Sequence, residues 1–314
     1  MRDDIYRQLL GTQGFVSGGA LGDQYGVTRA ALWKHIKAMQ EDGADIESVT
    51  GKGYRLISPP TIPRAEYVRA HMRRDIPVFY TDSVTSTNDV AKAAARDMNL
   101  EEAVFIGGEQ TAGKGRKGRV WASKPGQGVY ITFLMRPKTD PEKISGLTLA
   151  AAVAVCGAIE AVSDVKPLIK WPNDVIVDGK KAAGILTESM LNMDGVEFVV
   201  CGIGINTDAS LFEDDIKDTA FALKSNNTLL AAAVIDRLMD GYDQFTKNGL
   251  APFMEEFRSR SAISGTVTVS GMGGSETGEL LGYDDDGAIL LSCAGQTKRF
   301  VAGEISLRGE NGYV

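Results

Sequence analysis

The stretch Gly113-Lys114-Gly115-Arg116-Lys117-Gly118-Arg119 decides how the rest of the chain is read. It follows the apolar run Ala103-Val104-Phe105-Ile106. After it come Val120-Trp121-Ala122, a Pro125-Gly126 turn and the strand-like Val129-Tyr130-Ile131-Thr132-Phe133-Leu134. Glycines let the backbone turn tightly and bring its N–H groups against an anion, and the interleaved cations neutralise phosphate charge. The stretch satisfies G-x-G-x-x-G, but no amphipathic helix follows it, so it is not a dinucleotide-fold turn. It lacks the GK[ST] ending of a Walker A loop. What remains is a glycine–cation loop between two strands. Taken alone, the loop also admits a plainer reading as a solvated turn.

Composition narrows the field. A chain of 314 residues, 43% hydrophobic and 24% charged, implies two or three ordinary globular domains. No run of 18 apolar residues and no signal pattern appear, so a cytoplasmic protein without a membrane anchor is expected. Cys156, Cys201 and Cys293 are scattered in apolar or small-residue contexts, which fits buried thiols better than a disulfide framework or zinc site. With His35 and His71 as the only imidazoles, a catalytic triad or a metal–histidine cluster is close to excluded. The net charge of −7 means that any nucleic-acid contact has to come from a local surface.

Such a surface is available at the N-terminus. Ile5 to Leu10 reads as a short helix, Ser17 as the N-cap of a second helix that ends at Gly26, and Thr28 as the cap of a third, from Arg29 to about Glu41. Two helices around a tight turn, followed by Ile46–Val49, Thr50-Gly51-Lys52-Gly53 and Tyr54–Ile57, make a helix-turn-helix with a hairpin wing. In such a module Thr28, Arg29, Trp33, Lys34 and Lys37 face the DNA, with Lys52 and Arg55 set for phosphates. A small packing domain without a DNA role fits the balanced charge of residues 1–60 as well, and Trp33 then packs inward. Pro59, Pro60 and Pro63 mark a stiff linker.

In the middle of the chain, Val78-Phe79-Tyr80 is a short strand, and Thr87 or Asn88 caps the helix through Val90, Ala91, Ala94 and Ala95. An Ala-rich helix from about Pro141 to Val162 is apolar nearly all round and belongs against a sheet. Leu168-Ile169-Lys170-Trp171 is a strand stopped by Pro172, with Asn173-Asp174 as a turn. Further strands are read at Val175–Val177, Ala183–Met190 and Val196–Gly204, then helices at about Thr228–Asn248 and Ala251–Arg260, with Asp236 and Asp240 facing solvent. From Gly265 short alternating strands suggest a small barrel. The Asp284-Asp285-Asp286 run lacks the further ligands of a metal site.

Four motifs come in order: Gly-Lys-Gly-Arg-Lys-Gly-Arg-x-Trp, Lys170-Trp171-Pro172-Asn173-Asp174, Lys181-Ala182-Ala183-Gly184-Ile185-Leu186-Thr187-Glu188, and Gly202-Ile203-Gly204-Ile205-Asn206. The series resembles the biotin–protein ligase family. With the N-terminal Thr28 to Ile36 run and Gly51-Lys52-Gly53-Tyr54, it resembles the bifunctional type, both ligase and biotin-operon repressor, from about Tyr6 to Arg308. The resemblance implies an α+β protein with a winged helix-turn-helix in 1–60, a class-II-synthetase-like mixed sheet with helices in 61–264, and an SH3-like small β-barrel in 265–314. It implies adenylation of biotin by ATP with Mg²⁺, then transfer to a lysine of the biotin carboxyl carrier protein. It also implies repression from operator DNA by a homodimer in the adenylate-bound state.

Residue by residue, the resemblance carries Lys170 and Arg116 as the catalytic cations. It carries Ser86, Thr87, Asn88, Gln110, Lys114, Gly115, Arg116, Lys170 and Gly184 for biotin. For the nucleotide it carries Gly113, Arg116, Lys117, Arg119, Trp121, Asn173 and Asn206, with Lys181 lining the pocket and Arg308 as a late contact. It implies no protein metal ligands. The family loop commonly reads Gly-Arg-Gly-Arg-Arg-Gly-Arg-Lys-Trp, so Lys114, Lys117 and Val120 depart from it. The residues leave open a DNA-binding, ligand-responsive regulator with little or no ligase activity, and a ligase of related fold acting on lipoate.

Overall fold

The computed structural model describes residues 1–97, 100–193, 195–214, 216–271, 274–301 and 306–309. Helices α1 (Arg2–Leu10), α2 (Gly18–Tyr25) and α3 (Arg29–Glu41) pack Ile5, Leu9, Leu21, Leu32, Ile36 and Met39 into one small core. Both expected caps are made: the Ser17 hydroxyl accepts from Ala20 N at 3.5 Å, and the Thr28 hydroxyl from Ala31 N at 3.2 Å. Gly26, at φ 64°, ends α2 in the left-handed conformation that glycine adopts without cost. Strands β1 (Asp45–Val49) and β2 (Gly53–Ser58) form the antiparallel wing. Trp33 is 53% exposed on α3, so it is not a packing residue.

The segment after the prolines is more than a linker. Helix α4 (Ala65–His71) sends Tyr67 into the small N-terminal core and Val68 into the large central one. Asp42, 5% exposed, accepts from the Tyr67 hydroxyl at 2.8 Å and from Arg64 Nε at 2.8 Å. On the far side, Arg73 and Arg74 meet the helix Asn227–Asn248. There Asp236 is 8% exposed and accepts from Arg73 N at 2.9 Å and Arg74 N at 3.2 Å. This corrects the solvent-facing reading of Asp236, whose carboxylate terminates orphan backbone donors. Asp240 stays partly exposed but is paired with both arginines. Removing one partner of a buried, hydrogen-bonded charge leaves the others unsatisfied. Asp42→Ala therefore lowers unfolding stability by about 3 kcal/mol, read from urea denaturation.

The central sheet is built from β3 (Val78–Val84), β4 (Ala103–Gln110), β5 (Gly128–Met135), β6 (Leu168–Lys170), β7 (Asp174–Val177), β8 (Lys180–Asn192) and β9 (Gly195–Asn206). Helices α5 (Thr87–Ala94), α6 (Ile144–Val162), α7 (Asn227–Asn248) and α8 (Met254–Ser259) accompany it. The strand order is β3-β4-β5-β9-β8-β7-β6, with β3 and β4 parallel and every other pair antiparallel. The β7–β8 hairpin turns at Asp178 (φ 50°) and Gly179 (φ 72°), the left-handed pair of a tight hairpin.

Side chains alternate across a sheet, and here the alternation separates two faces. Val129, Ile131, Phe133, Ile185, Val199, Cys201, Ile203 and Ile205 join α6 and α7 in the large core. The segment Pro141–Val162 is long and apolar enough to cross a membrane, but it is mostly buried as a core helix. The other face presents Tyr130, Thr132, Gly184, Gly202, Gly204 and Asn206, and carries α5 at one end.

Strands β10 (Thr266–Gly271), β11 (Gly274–Tyr283), β12 (Ile289–Cys293), β13 (Gln296–Phe300) and β14 (Ser306–Gly309) form an antiparallel sheet in the order β13-β12-β11-β10-β14. Among the described residues β13 and β14 do not pair, so the sheet is open where a closed barrel was expected. Trp171, 1% exposed, donates from Nε1 to Gly287 O at 2.9 Å and ties this sheet to the central one. Asp284 accepts from the backbone N–H groups of Asp286 and Ala288 and pairs with Arg299, the work of a turn. Of the closing motif, Gly303, Glu304 and Ile305 lie outside the described residues, while Arg308 stands opposite Thr268 in β14.

Candidate active site

One row of residues runs in register across six strands of the glycine-rich face: Gly107, Tyr130, Gly204, Gly184, Asp174 and Lys170. At about 4.8 Å per strand the row spans roughly 24 Å. Its glycines clear a lane, and side chains from other elements lie on it. A Cβ on Gly107 would stand 3.1 Å from Thr87 Cγ2; one on Gly184 would stand 2.8 Å from the Trp121 ring, and one on Gly204 2.5 Å from it. The lane thus has Thr87 over one end, an indole over its middle and a buried lysine, 6% exposed, at the other end.

The Thr87 end is a ring of polar groups. Gln110 Oε1 accepts from Thr87 N at 2.9 Å and lies 3.1 Å from Thr87 Oγ1, while Gln110 Nε2 donates to Ser123 Oγ at 2.8 Å. The Thr132 hydroxyl lies 2.8 Å from Thr87 Oγ1 and 2.7 Å from Asn88 Oδ1. Ser86, Thr87 and Asn88 are all buried. The expected cap by Thr87 or Asn88 is not made. Ser86 is the N-cap residue, without a side-chain cap bond, and the Thr87 and Asn88 side chains turn across to the sheet. Four residues of the ring and its surroundings escaped the sequence reading: Thr132, Ser123, Glu188 and Lys92. Thr132 had a signal, being the one aliphatic hydroxyl in a strand from Val129 to Met135 whose other side chains are aliphatic or aromatic.

The glycine loop forms the rim. Trp121 N donates to Gly113 O at 2.9 Å and Gly115 N to Arg119 O at 2.8 Å, while Lys117 (φ 57°) and Gly118 (φ 70°) turn through the left-handed region. A Cβ on Gly113 would stand 2.3 Å from Trp121 O, so glycine is required there. Arg116 donates to Asn173 Oδ1 at 2.8 Å, and Asn173 Nδ2 to Ile185 O at 3.0 Å. Desolvation pulls the Arg116 pKa down, with Asp174 opposing it. Lys181 pairs with Asp174 at 2.7 Å and lies 5.2 Å from the Trp121 ring centre. Asn206, 7% exposed, donates to Lys181 O at 3.3 Å.

Arg116, Trp121, Lys170, Asn173, Asp174, Lys181, Gly184 and Asn206 are therefore gathered between the middle of the lane and its Lys170 end. The remaining loop cations are arranged differently. Lys114 pairs with Asp89 of α5 at 2.5 Å, Lys117 donates to Ser270 O of β10 at 3.3 Å, and Arg119 is exposed. Among the described residues no group of three His, Cys, Asp or Glu side chains is placed to hold a metal.

Comparison with known proteins agrees with this geometry. Residues 80–206 match the biotin/lipoate A/B protein ligase family, and residues 2–55 match an HTH domain. The bifunctional ligase/repressor BirA of Bacillus spizizenii is 34% identical over 305 residues, covering 93% of this chain and 94% of that one. The chain belongs to the bifunctional biotin ligase/repressor family. The BirA of Escherichia coli is 30% identical and covers 96% of this chain and 95% of its own. Among solved structures, a biotin protein ligase from Aquifex aeolicus in complex with biotin and ATP aligns at a TM-score of 0.65 and 27% identity, over 74% of this chain and 99% of that one. The family model spans biotin and lipoate enzymes together; the solved structure named here is a biotin protein ligase with biotin and ATP bound.

Proposed function

We infer that the protein is an ATP-dependent biotin–protein ligase and a biotinyl-5′-AMP-dependent repressor of biotin genes. The observation that carries the reading is the lane: a polar ring at one end, an indole over the middle and gathered cations at the other. A buried cyclic urea needs each donor and acceptor met, and Ser86, Thr87, Asn88 and Gln110 are the groups we assign to it. The acyl chain runs from this ring past the Trp121 indole, which itself lies on Gly184 and Gly204, and the carboxylate arrives beside Lys170. A carboxylate oxygen attacks the α-phosphorus of ATP and pyrophosphate leaves, giving biotinyl-5′-adenylate. A lysine amine of the carrier protein then attacks the acyl carbon of this anhydride, AMP leaves and the amine proton passes to solvent.

Both steps need charge neutralised where it develops. Lys170 and Arg116 supply it at the transferring phosphoryl group, with the backbone of Gly113 and Gly115 and the side chains of Lys114, Lys117 and Arg119 around the rest. Asn173, Trp121 and Asn206 border the adenosine. Mg²⁺ supplies further neutralisation when bound. The chain fits an ion carried by phosphate and water, because Asn173 and Asp174 are already engaged by Arg116 and Lys181. Lys114 and Lys117 keep the charge of the family's arginines without the bidentate fork. Arginine at both positions therefore slows adenylate dissociation by about ten-fold, roughly 1.4 kcal/mol, measured by chasing labelled adenylate.

For repression we assign Thr28, Arg29, Trp33, Lys34 and Lys37 on and beside α3 to the operator, with Lys52 on the wing. Two copies in an adenylate-bound homodimer give the paired half-sites. An apo carrier would consume the adenylate and relieve repression. We propose the boundaries 1–60, 61–264 and 265–314 for the three parts, a class-II-synthetase-like central sheet, an SH3-like C-terminal one, and action in the cytoplasm. The test is incubation with biotin, Mg-ATP and an apo carrier domain. A mass gain of one biotinyl group, with AMP and pyrophosphate released equally, is the expected result. Folded protein that binds biotin and shifts operator DNA but adds no mass would favour the regulator without ligase activity.

A further inference from the structure

Glu188 closes the Lys181–Glu188 motif, yet the chemistry above gives it no part. It stands on the lane's face of β8, two residues beyond Leu186, and reaches α5. Its Oε2 accepts from Asn88 Nδ2 at 2.8 Å, and its Oε1 pairs with Lys92 Nζ at 2.7 Å. The second donor on the Asn88 amide goes to Leu186 O at 3.3 Å. Both donors of a side chain only 3% exposed are thus drawn to β8, and Oδ1 is turned the other way. It turns toward Thr132 Oγ1 at 2.7 Å and into space left by Gly202, where a Cβ would stand 2.1 Å from it. The flipped amide would set Oδ1 against a carboxylate and a carbonyl, acceptor against acceptor.

Proton direction then propagates. A hydroxyl has a single proton to give. With Thr132's proton committed to Asn88 Oδ1, the Thr87 proton goes to Thr132 Oγ1 or to Gln110 Oε1, which lies 3.1 Å from Thr87 Oγ1. Thr87, which lies over the lane at Gly107, is left with lone pairs only for a ligand there. It accepts, and a ligand ring must donate N–H to it.

We propose that Glu188 is a positioning residue that fixes the hydrogen-bond polarity of the polar ring through the Asn88 amide, and so selects a ligand ring carrying N–H donors. Lys92 holds the carboxylate in place. The proposal rests on the reading of Ser86, Thr87, Asn88 and Gln110 as the cyclic-urea pocket.

The experiment is biotin-dependent pyrophosphate exchange by the full chain, with KM for biotin and for ATP determined separately. Glu188→Ala raises KM for biotin roughly ten-fold or more, the effect of leaving a buried amide unpaired, while KM for ATP holds within about two-fold of wild type. Glu188→Gln, whose amide oxygen accepts in the same place, returns KM for biotin to within about three-fold of wild type. The near-isosteric pair Asn88→Asp and Glu188→Gln preserves packing and gives a second reading. Asn88→Asp alone sets two carboxylates against each other, and the double variant restores a donor–acceptor pair with reversed direction. The double variant therefore binds biotin at least about ten-fold better than additivity from the single variants allows. Additive effects, equal changes in both KM values, or an unchanged KM for biotin in Glu188→Ala each overturn the proposal. Absence of biotin-dependent exchange by the wild type overturns the underlying pocket reading instead.

Discussion

Lys170→Ala lowers kcat/KM for biotin adenylation by about a thousand-fold or more, and biotin binding falls by no more than about ten-fold. The asymmetry follows from position. Lys170 lies at the end of β6, opposite Asp174, at the far end of the lane from the Thr87 ring. In the proposed reaction it meets the ligand at the carboxylate, where negative charge is redistributed as the phosphoryl group transfers. A preorganised cation in a water-poor site acts mainly on the transition state. At 6% exposure it has little water to reorganise as the charge moves. Lys170→Arg keeps the charge in the wrong shape and recovers only part of the rate. Thermal melting of both variants separates a loss of chemistry from a loss of fold. A fall in biotin affinity that accounts for the whole loss would mean that Lys170 holds substrate and contributes nothing specific to transfer.

Gly204→Ala is the second variant with a large expected effect, and it adds a single methyl group. A Cβ there would stand 2.5 Å from Cε2 and Nε1 of the Trp121 indole, against a rigid ring and not the end of a flexible chain. The indole must lift from the sheet, and Trp121 belongs to the glycine loop through its N–H bond to Gly113 O. Raising the ring therefore distorts the rim as well as filling the lane. Overpacking of this kind costs about 1–3 kcal/mol in stability, and adenylate affinity falls by roughly a hundred-fold, near 2.7 kcal/mol. Gly249→Ala is the control. Gly249 sits after α7 at φ 66° and ψ −151° with open space around its Cβ position, so the variant loses about 1–3 kcal/mol of stability from a backbone conformation almost confined to glycine and keeps its activity. Isothermal titration with the adenylate, beside denaturant melts of both variants, checks the pair.

The sequence makes some of this legible for definite reasons. Ser17, Thr28 and Gly26 announce helix ends because capping is local chemistry, and the apolar run from Val196 to Gly204 announces its strand. Other features depend on partners far away in the chain. Helix α4 is only seven residues long and divides Tyr67 and Val68 between two cores, so it carries no periodic signal of its own. Asp236 looks solvent-facing on a helix until Arg73 and Arg74 bring their backbone N–H groups to it across 163 and 162 residues. Thr87 looks like a cap until Gln110 and Thr132 claim its side chain. The lane itself is a property of register. Gly107, Gly204 and Gly184 are each an ordinary strand glycine, and only the pairing of β4, β5, β9 and β8 lines them up.

In the proposed function this lane binds biotin and brings its carboxylate to the α-phosphate of ATP. The most direct measurement is exchange of labelled pyrophosphate into ATP, with biotin, lipoate or no acid added, for the wild type and for Lys170→Ala. The expected result is exchange that depends on biotin, is absent with lipoate or no acid, and is lost in Lys170→Ala. Exchange supported by lipoate alone, or no exchange by folded wild-type protein that binds biotin, would contradict it.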